Sequence, residues 1–493
     1  MKPIEIHRQM NTVTLAFSLI VGALLLSPPK SNAQWQADVR LTNDPAMSNT
    51  SYNNAWCIAS SGDDVHAVWQ DFRDGNYEIY YKRSTDGGAS WATDTRLTND
   101  PAASYSPSVT VSNSAVHVVW MEGRDANWEI YYKRSTDGGV GWGADMRLTD
   151  DPDNSQYPSV TVTGPVVHVV WQDFRDGNWE AYYKRSQDEG STWGPDIQLT
   201  DYPSASTFPS VAVSGLIVHV VWYDFRDGNY EIYYKRSTDG GTGWDSDTRL
   251  TNDDALSSYP SISVSGPVVH VVWHDDRDLS WDIYYKSSTD GGVSWTADAQ
   301  LTKDSESSQY PSITVSGPVV HVVWFDDRDG NGEIYYKRST DGGLSWGADT
   351  RLTSDPAVSW YPSVSVSGSA VHVVWHDNRD GNDEIYYDHD PTGGVTGIET
   401  IDLEIPREFS LSQNYPNPFN PNTNFSFTIP QSSIVNLTVF DLLGREIALL
   451  VNEEKAPGTY TVQWNASGMT SGVYVYRIIA GEFVQSGKMI LAR

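Results

Sequence analysis

Seven times along the chain, two acidic residues are spaced to meet across a tight turn. The pairs are Asp71/Glu78, Glu122/Glu129, Asp173/Glu180, Asp224/Glu231, Asp275/Asp282, Asp326/Glu333 and Asp377/Glu384. With Asp74-Gly75 as the turn of the first copy, strand alternation sets Asp71 opposite Glu78 and puts Trp69, Asp71 and Arg73 on one face. Two carboxylates within reach of each other could act as the acid and the nucleophile of a glycosidase. They could also hold a hard cation such as Ca²⁺ through oxygen ligands. An arginine accompanies every pair (Arg73, Arg124, Arg175, Arg226, Arg277, Arg328 and Arg379) and could neutralise it as a structural charge cluster. An active site needs one asymmetric constellation, so a pair present in every copy is expected to hold the local structure together. Catalytic residues therefore stay unassigned, no metal ligand is designated and no cofactor is expected, Ca²⁺ being the one candidate.

Positions that differ between copies carry more functional information. The residue after the repeated Trp is Gln70, Met121, Gln172, Tyr223, His274, Phe325 or His376, and the places flanking the turn are aromatic in copies one, three and four. The candidate ligand-binding residues are Phe72, Tyr77, Trp128, Phe174, Trp179, Tyr223, Phe225, Tyr230, His274, Trp281 and His376. Copies six and seven hold Asp327/Gly332 and Asn378/Asp383 instead, so one side of this face is expected to be aromatic and the other acidic. Exposed rings suit sugar faces or the apolar anchors of a partner protein, and packing on the neighbouring copy is the alternative. A histidine also recurs amid valines, at His66, His117, His168, His219, His270, His321 and His372, where a hydrogen-bonded packing role is expected.

These residues need a scaffold that repeats with them. The string S-T-D-G-G-x-x-W, or a close variant, starts at Ser84, Ser135, Ser186, Ser237, Ser288 and Ser339, always 51 residues apart. Four short strand signals fall in each unit, at 108–112, 116–120, 129–134 and 146–149 in the second. In most copies Asp-Gly between the second and third reads as a two-residue hairpin turn. Four antiparallel strands at this period describe a β-propeller blade, and no stretch has a sustained helical period. Strands one to three occur seven times, but the first copy of strand four, "WQADVRLT" after Gln34, precedes any complete unit. That strand is expected to complete the seventh blade and close the ring, leaving no open edge. The expected fold is all-β: a seven-bladed propeller over residues 34–394, followed by a small sandwich.

The string S-x-D-x-G-x-x-W is the Asp-box of bacterial neuraminidase repeats, and residues 34–394 resemble the sialidase-like propellers. The resemblance implies a structural turn whose Asp (Asp86, Asp137, Asp188, Asp239, Asp290 and Asp341) and Ser satisfy backbone groups, and whose Trp packs into the blade. The enzymes of that family grip a carboxylate with three arginines from different blades and use a Tyr-Glu nucleophile pair with an Asp acid/base. Their R-I-P motif is absent from this sequence, and they have six blades where seven are counted here. A second resemblance lies in "SLSQNYPNPFNPNTNFSFTIP", "VFDLLGREIALL", "GTYTVQWNASGMTSGVYVYRI" and "GKMILAR". It is to the type A sorting domain of the type IX secretion system, over residues 408–493. It implies an Ig-like β-sandwich that directs passage across the outer membrane, with 395–407 as the linker.

Residues 1–33 read as a secretory signal peptide: a basic start at Lys2 and Arg8, an apolar run, and Ser31-Asn32-Ala33 before cleavage. Among 493 residues the formal net charge is −31, a surface that repels nucleic acid. The single cysteine, Cys57, excludes an internal disulfide. The expected protein is a secreted or surface-held monomer that binds a glycan or an extracellular protein and engages the type IX machinery through its C-terminal segment. A sialidase-like exo-glycosidase with a diverged site is the rival reading.

Overall fold

The computed structural model describes residues 35–51, 56–124, 126–303, 305–393, 409–414, 417–429, 433–455, 458–481 and 483–492. The expected signal peptide and linker lie outside the described residues. The described residues form strands and turns with no helix.

The described residues of 35–393 build seven antiparallel sheets, six each from a single repeat unit and one joining the N-terminal strand to the last three strands. In the second unit the strands are Ser104–Ser112, Ala115–Glu122, Glu129–Ser135 and Met146–Arg147. The first strand of each sheet touches the first strand of the next, and Ser359–Ser367 of the seventh unit touches Ile58–Ser61 of the first. A cavity of about 130 Å³ is lined by Ile58, Val109, Thr314 and Val364, from the inner strands of four units. The inner strands of these four units thus line a narrow space.

The N-terminal strand Val39–Arg40 pairs with Glu384–Asp390, with Val39 opposite Tyr387 and Arg40 opposite Tyr386. Gln36 N donates to His389 O (3.1 Å) and Leu41 N to Ile385 O (2.7 Å). Residues at the two ends of the repeat array therefore share one sheet.

Each sheet carries a valine-rich second strand, buried on both faces, whose Trp (Trp69, Trp120, Trp171, Trp222, Trp273, Trp324 or Trp375) is fully buried. Truncating such a ring costs about 3–5 kcal/mol. Between sheets the recurring contact is a tyrosine. The Tyr81 hydroxyl is 2.7 Å from His66 Nδ1, and the same pair recurs in all seven units. The Tyr81 ring then meets Trp142 of the next unit edge-on at 4.9 Å, and a Cβ on Gly139 would lie 1.8 Å from its hydroxyl oxygen. Gly139 also has φ +83°, so the second glycine of S-T-D-G-G is required twice over. At the two ends of the array the contacts are Tyr336 on Trp35 (5.0 Å) and Tyr387 on Trp91 (4.9 Å).

The turn between strands two and three differs from expectation. The ladder stops at Asp71/Glu78, and Phe72–Gly75 forms a four-residue turn closed by Gly75 N to Phe72 O at 3.0 Å. Only Gly75 has positive φ there, whereas a two-residue type I′ hairpin needs two such residues. Arg73 is drawn out of the ladder to clasp Asp71, which explains the longer loop.

The C-terminal segment folds as a three-stranded and a four-stranded antiparallel sheet around a shared core that includes Phe425, Phe427, Leu437, Trp464, Tyr476, Ile478 and Met489.

Candidate functional site

Antiparallel connectivity puts the Asp-box turns at one end of the sheets and the Arg-bearing turns at the other. At the box end, Asp86 Oδ1 accepts Ser84 Oγ (2.7 Å) and Ser90 N (2.8 Å), and Ser84 Oγ accepts Gly88 N (2.9 Å). Asp137, Asp188, Asp239, Asp290 and Asp341 accept from their own turns in the same way. Those bonds hold the carboxyls of Asp86, Asp188 and Asp341 down at about 2, Asp290 being lower still.

At the other end the carboxylate pairs are held by hydrogen bonds, with Glu384 Oε2 of the seventh unit left buried and unpartnered. Asp71 accepts from Trp69 Nε1 (2.9 Å), Ser48 Oγ (2.8 Å) and a bidentate Arg73 (2.8 and 2.6 Å). Arg73 also pairs with Asp94 (2.8 Å), and its guanidinium lies 4.3 Å over the Tyr80 ring. Glu78 is held instead by Arg96 (2.8 Å), Thr98 Oγ1 and Asn76 (3.0 Å). The expectation that one arginine neutralises both members of a pair is therefore corrected. Asp71 and Glu78 are both fully buried and point to different clusters, so each needs its own cation. Where the second arginine is replaced by Gln198 or Gln300, burial raises the carboxyls of Glu180 and Asp282.

The recurring histidines pack as neutral rings. Burial pushes six of them down to about 4 and His321 to about 3.

The predicted ligand residues fall into two layers. Phe72 and Phe225 are 41% and 42% exposed, and they pair with Tyr77 and Tyr230 at 5.1 and 5.0 Å. Phe174 meets Trp179 at 5.1 Å, and Trp128 meets Tyr105 at 5.5 Å. Trp281 packs edge-on against His274 at 4.7 Å. Tyr223, His274 and His376, by contrast, are buried. His274 Nδ1 accepts Tyr310 N (3.2 Å) while its Nε2 meets Ser258 Oγ (2.7 Å), an arrangement that requires the neutral ring. Burial accordingly holds His274 near 3 and His376 near 4.

What His274 supports is a feature the sequence reasoning missed. Each inner strand from the second unit onward has a register shift at the residue before its proline: Ser106, Tyr157, Phe208, Tyr259, Tyr310 and Tyr361. All six have φ of 47–54°, a left-handed conformation that is unusual for bulky side chains. A bulge re-aims its side chain. At three of the six the freed amide is caught by the residue after the Trp in the preceding unit: Ser106 N by Gln70 Oε1 (2.9 Å), Phe208 N by Gln172 Oε1 (3.1 Å) and Tyr310 N by His274 Nδ1.

The outcome is an arc of five half-buried rings running from unit three to unit seven. Tyr157–Phe208, Phe208–Tyr259, Tyr259–Tyr310 and Tyr310–Tyr361 have centroids 4.5, 4.9, 5.1 and 4.4 Å apart. Trp360 stacks flat on Phe325 at 4.0 Å beside it. The expected split into an aromatic and an acidic side is thus corrected. Units six and seven are acidic at the outer turns, but the axial mouth there is aromatic. The signal was present as a [Tyr/Phe]-Pro dipeptide at 51-residue spacing in five units. Unit two has Ser106 at this point, and unit one is five residues longer between Asn49 and Ile58 than unit two between Tyr105 and Val109.

Residues 413–492 match the family model described as a secretion system C-terminal sorting domain. That domain marks the protein for export by type IX secretion to the cell surface or the extracellular space. No curated protein matches this sequence. Among solved structures, polysaccharide lyase Uly1 aligns with a TM-score of 0.50 at 8% identity, over 72% of this chain and 99% of that one. A mutant sialidase of Trypanosoma rangeli aligns at 0.43 and 12%, over 92% and 88%, and the endosialidase of phage phi92 at 0.43 and 9%, over 84% and 74%. The likeness to Uly1 is one of fold alone.

Proposed function

We propose that the protein is an exported glycan-binding propeller whose ligand seats on the aromatic arc at the axial mouth. The ring is read as seven blades, shut by the N-terminal strand; the Val39–Tyr387 pairing and the Trp35–Tyr336 contact support this. The C-terminal segment is read as an Ig-like sandwich, in keeping with its two sheets around one core.

The arc is the observation that carries the binding role. Sugar rings have apolar faces that stack on aromatic rings, and five partly buried rings in a row offer a stacking track. The axial cavity below, about 130 Å³ and partly lined by Trp56, has room for only a few water molecules, so a chain rests on the mouth rather than threading it.

Hydrolysis of a sialoside is the rival reading and would require arginines free to grip a carboxylate. The seven hairpin arginines are each bound to two carboxylates and laid over a tyrosine, as Arg175 is to Asp173 (2.7 Å), Asp196 (2.9 Å) and Tyr182 (4.5 Å). The test is titration of the secreted protein against a panel of oligosaccharides, beside the Tyr259→Ala and Tyr310→Ala variants. Loss of a stacking ring is expected to weaken binding by roughly tenfold or more. Turnover of a fluorogenic sialoside by the wild type would refute the binding-only role.

A further inference from the structure

Resting on the glycan-binding reading, we infer that the mouth takes uncharged sugars and turns away acidic ones. Three features of this face point the same way.

The first is that its cations are spent. Arg73, Arg124, Arg175, Arg226, Arg277, Arg328 and Arg379 each pair with a hairpin carboxylate and with an aspartate beside the fourth strand. The fourth-strand arginines Arg40, Arg96, Arg147, Arg249 and Arg351 pair with Glu384, Glu78, Glu129, Glu231 and Glu333. Lys303 stands at the outer edge among Asp278 and Asp282.

The second is that the two histidines under the arc cannot become cations near neutral pH. His274 and His376 are buried, and their ring nitrogens already contact Tyr310 N, Ser258 Oγ and Thr50 Oγ1 (2.9 Å).

The third is that the rim carries negative charge whose partners are amides. Asp276 accepts Leu256 N (2.6 Å), Asp327 accepts Ser307 N (2.6 Å) and Asp383 accepts Asn49 Nδ2 (2.9 Å). An amide satisfies a carboxylate's hydrogen bonding without cancelling its charge, so a second carboxylate or a sulfate brought to the arc meets repulsion in a chain whose net charge is already −31. A neutral sugar meets only rings and hydrogen-bonding groups.

The experiment compares the secreted protein's affinity for neutral hexasaccharides of mannose, xylose and glucose with that for oligogalacturonate, a heparin hexasaccharide and sialyllactose, at low and at high salt. The expected result is that a neutral chain binds at least about tenfold tighter than every acidic probe, with an affinity insensitive to salt. That binding is expected to be lost in Tyr259→Ala and in Tyr310→Ala, with far-ultraviolet circular dichroism confirming that the variants fold. Equal or tighter binding of an acidic probe, lost in the same variants, would overturn the selectivity while leaving the glycan-binding reading intact. Binding that survives both variants, or no binding to any probe, would overturn that reading and this inference with it.

Discussion

The seven neutral histidines make a quantitative prediction about acid. Each lies in the second strand of its sheet with Nδ1 on a tyrosine hydroxyl 2.7–2.8 Å away, and burial lowers it from 6.5 to about 4, with His321 at about 3. The folded value lies below the unfolded one, so the unfolded chain takes up protons that the native chain refuses. Stability that is complete above pH 6.5 is therefore lost as the pH falls toward 4. At about pH 5 each histidine costs roughly 2 kcal/mol, and seven together on the order of 14 kcal/mol, comparable with the whole stability of a typical domain. At about pH 5.5 unfolding should take up about six protons on their account, a slope near 8 kcal/mol per pH unit. Asp388, which burial raises to about 7, works in the opposite sense and removes about one of these protons. The assay is denaturant unfolding across this range, with proton uptake measured calorimetrically in buffers of different ionisation enthalpy. In His168→Asn the side-chain amide can keep a hydrogen bond to the Tyr183 hydroxyl without titrating, so uptake should fall by about one proton. Stability that stays flat from pH 6.5 to 5, or a variant whose uptake matches the wild type, would refute the reasoning.

Other outcomes follow from single departures in the repeat. In six units a lysine binds an aspartate beside the fourth strand at 2.8–2.9 Å and the carbonyl of a preceding leucine, but the seventh has Asp388 facing Asp38. Asp388→Lys should therefore stabilise the protein by roughly 1–3 kcal/mol, more at alkaline than at acid pH because the native carboxylate ionises as pH rises through 7; an unchanged melting temperature would contradict this. Gly139→Ala should cost about 3 kcal/mol or more, since its Cβ would strike Tyr81. Gly138→Ala, at φ +71° with its nearest neighbour 3.6 Å away, should cost only about 1–2 kcal/mol, and denaturant midpoints of the two variants would separate clash from strain. Cys57 is 1% exposed and burial pushes its thiol up to about 12, so it should resist thiol reagents until the protein unfolds; rapid labelling of the native chain would show that the inner strand of unit one opens.

What the residues alone determined is everything governed by short-range alternation and the 51-residue period. The strand positions, the pairing of Asp71 with Glu78, the packing role of His66 and its repeats, and the stray fourth strand before unit one all follow from it. The secretion segment was legible as well, through its resemblance to a sorting domain whose motifs run in the same order. Tertiary structure decided whatever depends on one sheet lying against the next. Tyr81 needs Gly139 of the following unit. Five residues spread over some two hundred positions become neighbours 4.4–5.1 Å apart only when the inner strands converge on an axis. It also buries His274 and His376, while Tyr259 and Tyr310 keep part of their surface exposed. Alternation says which face of a strand a side chain takes. It says nothing of how far a bulge turns that side chain, or of what another sheet brings to meet it.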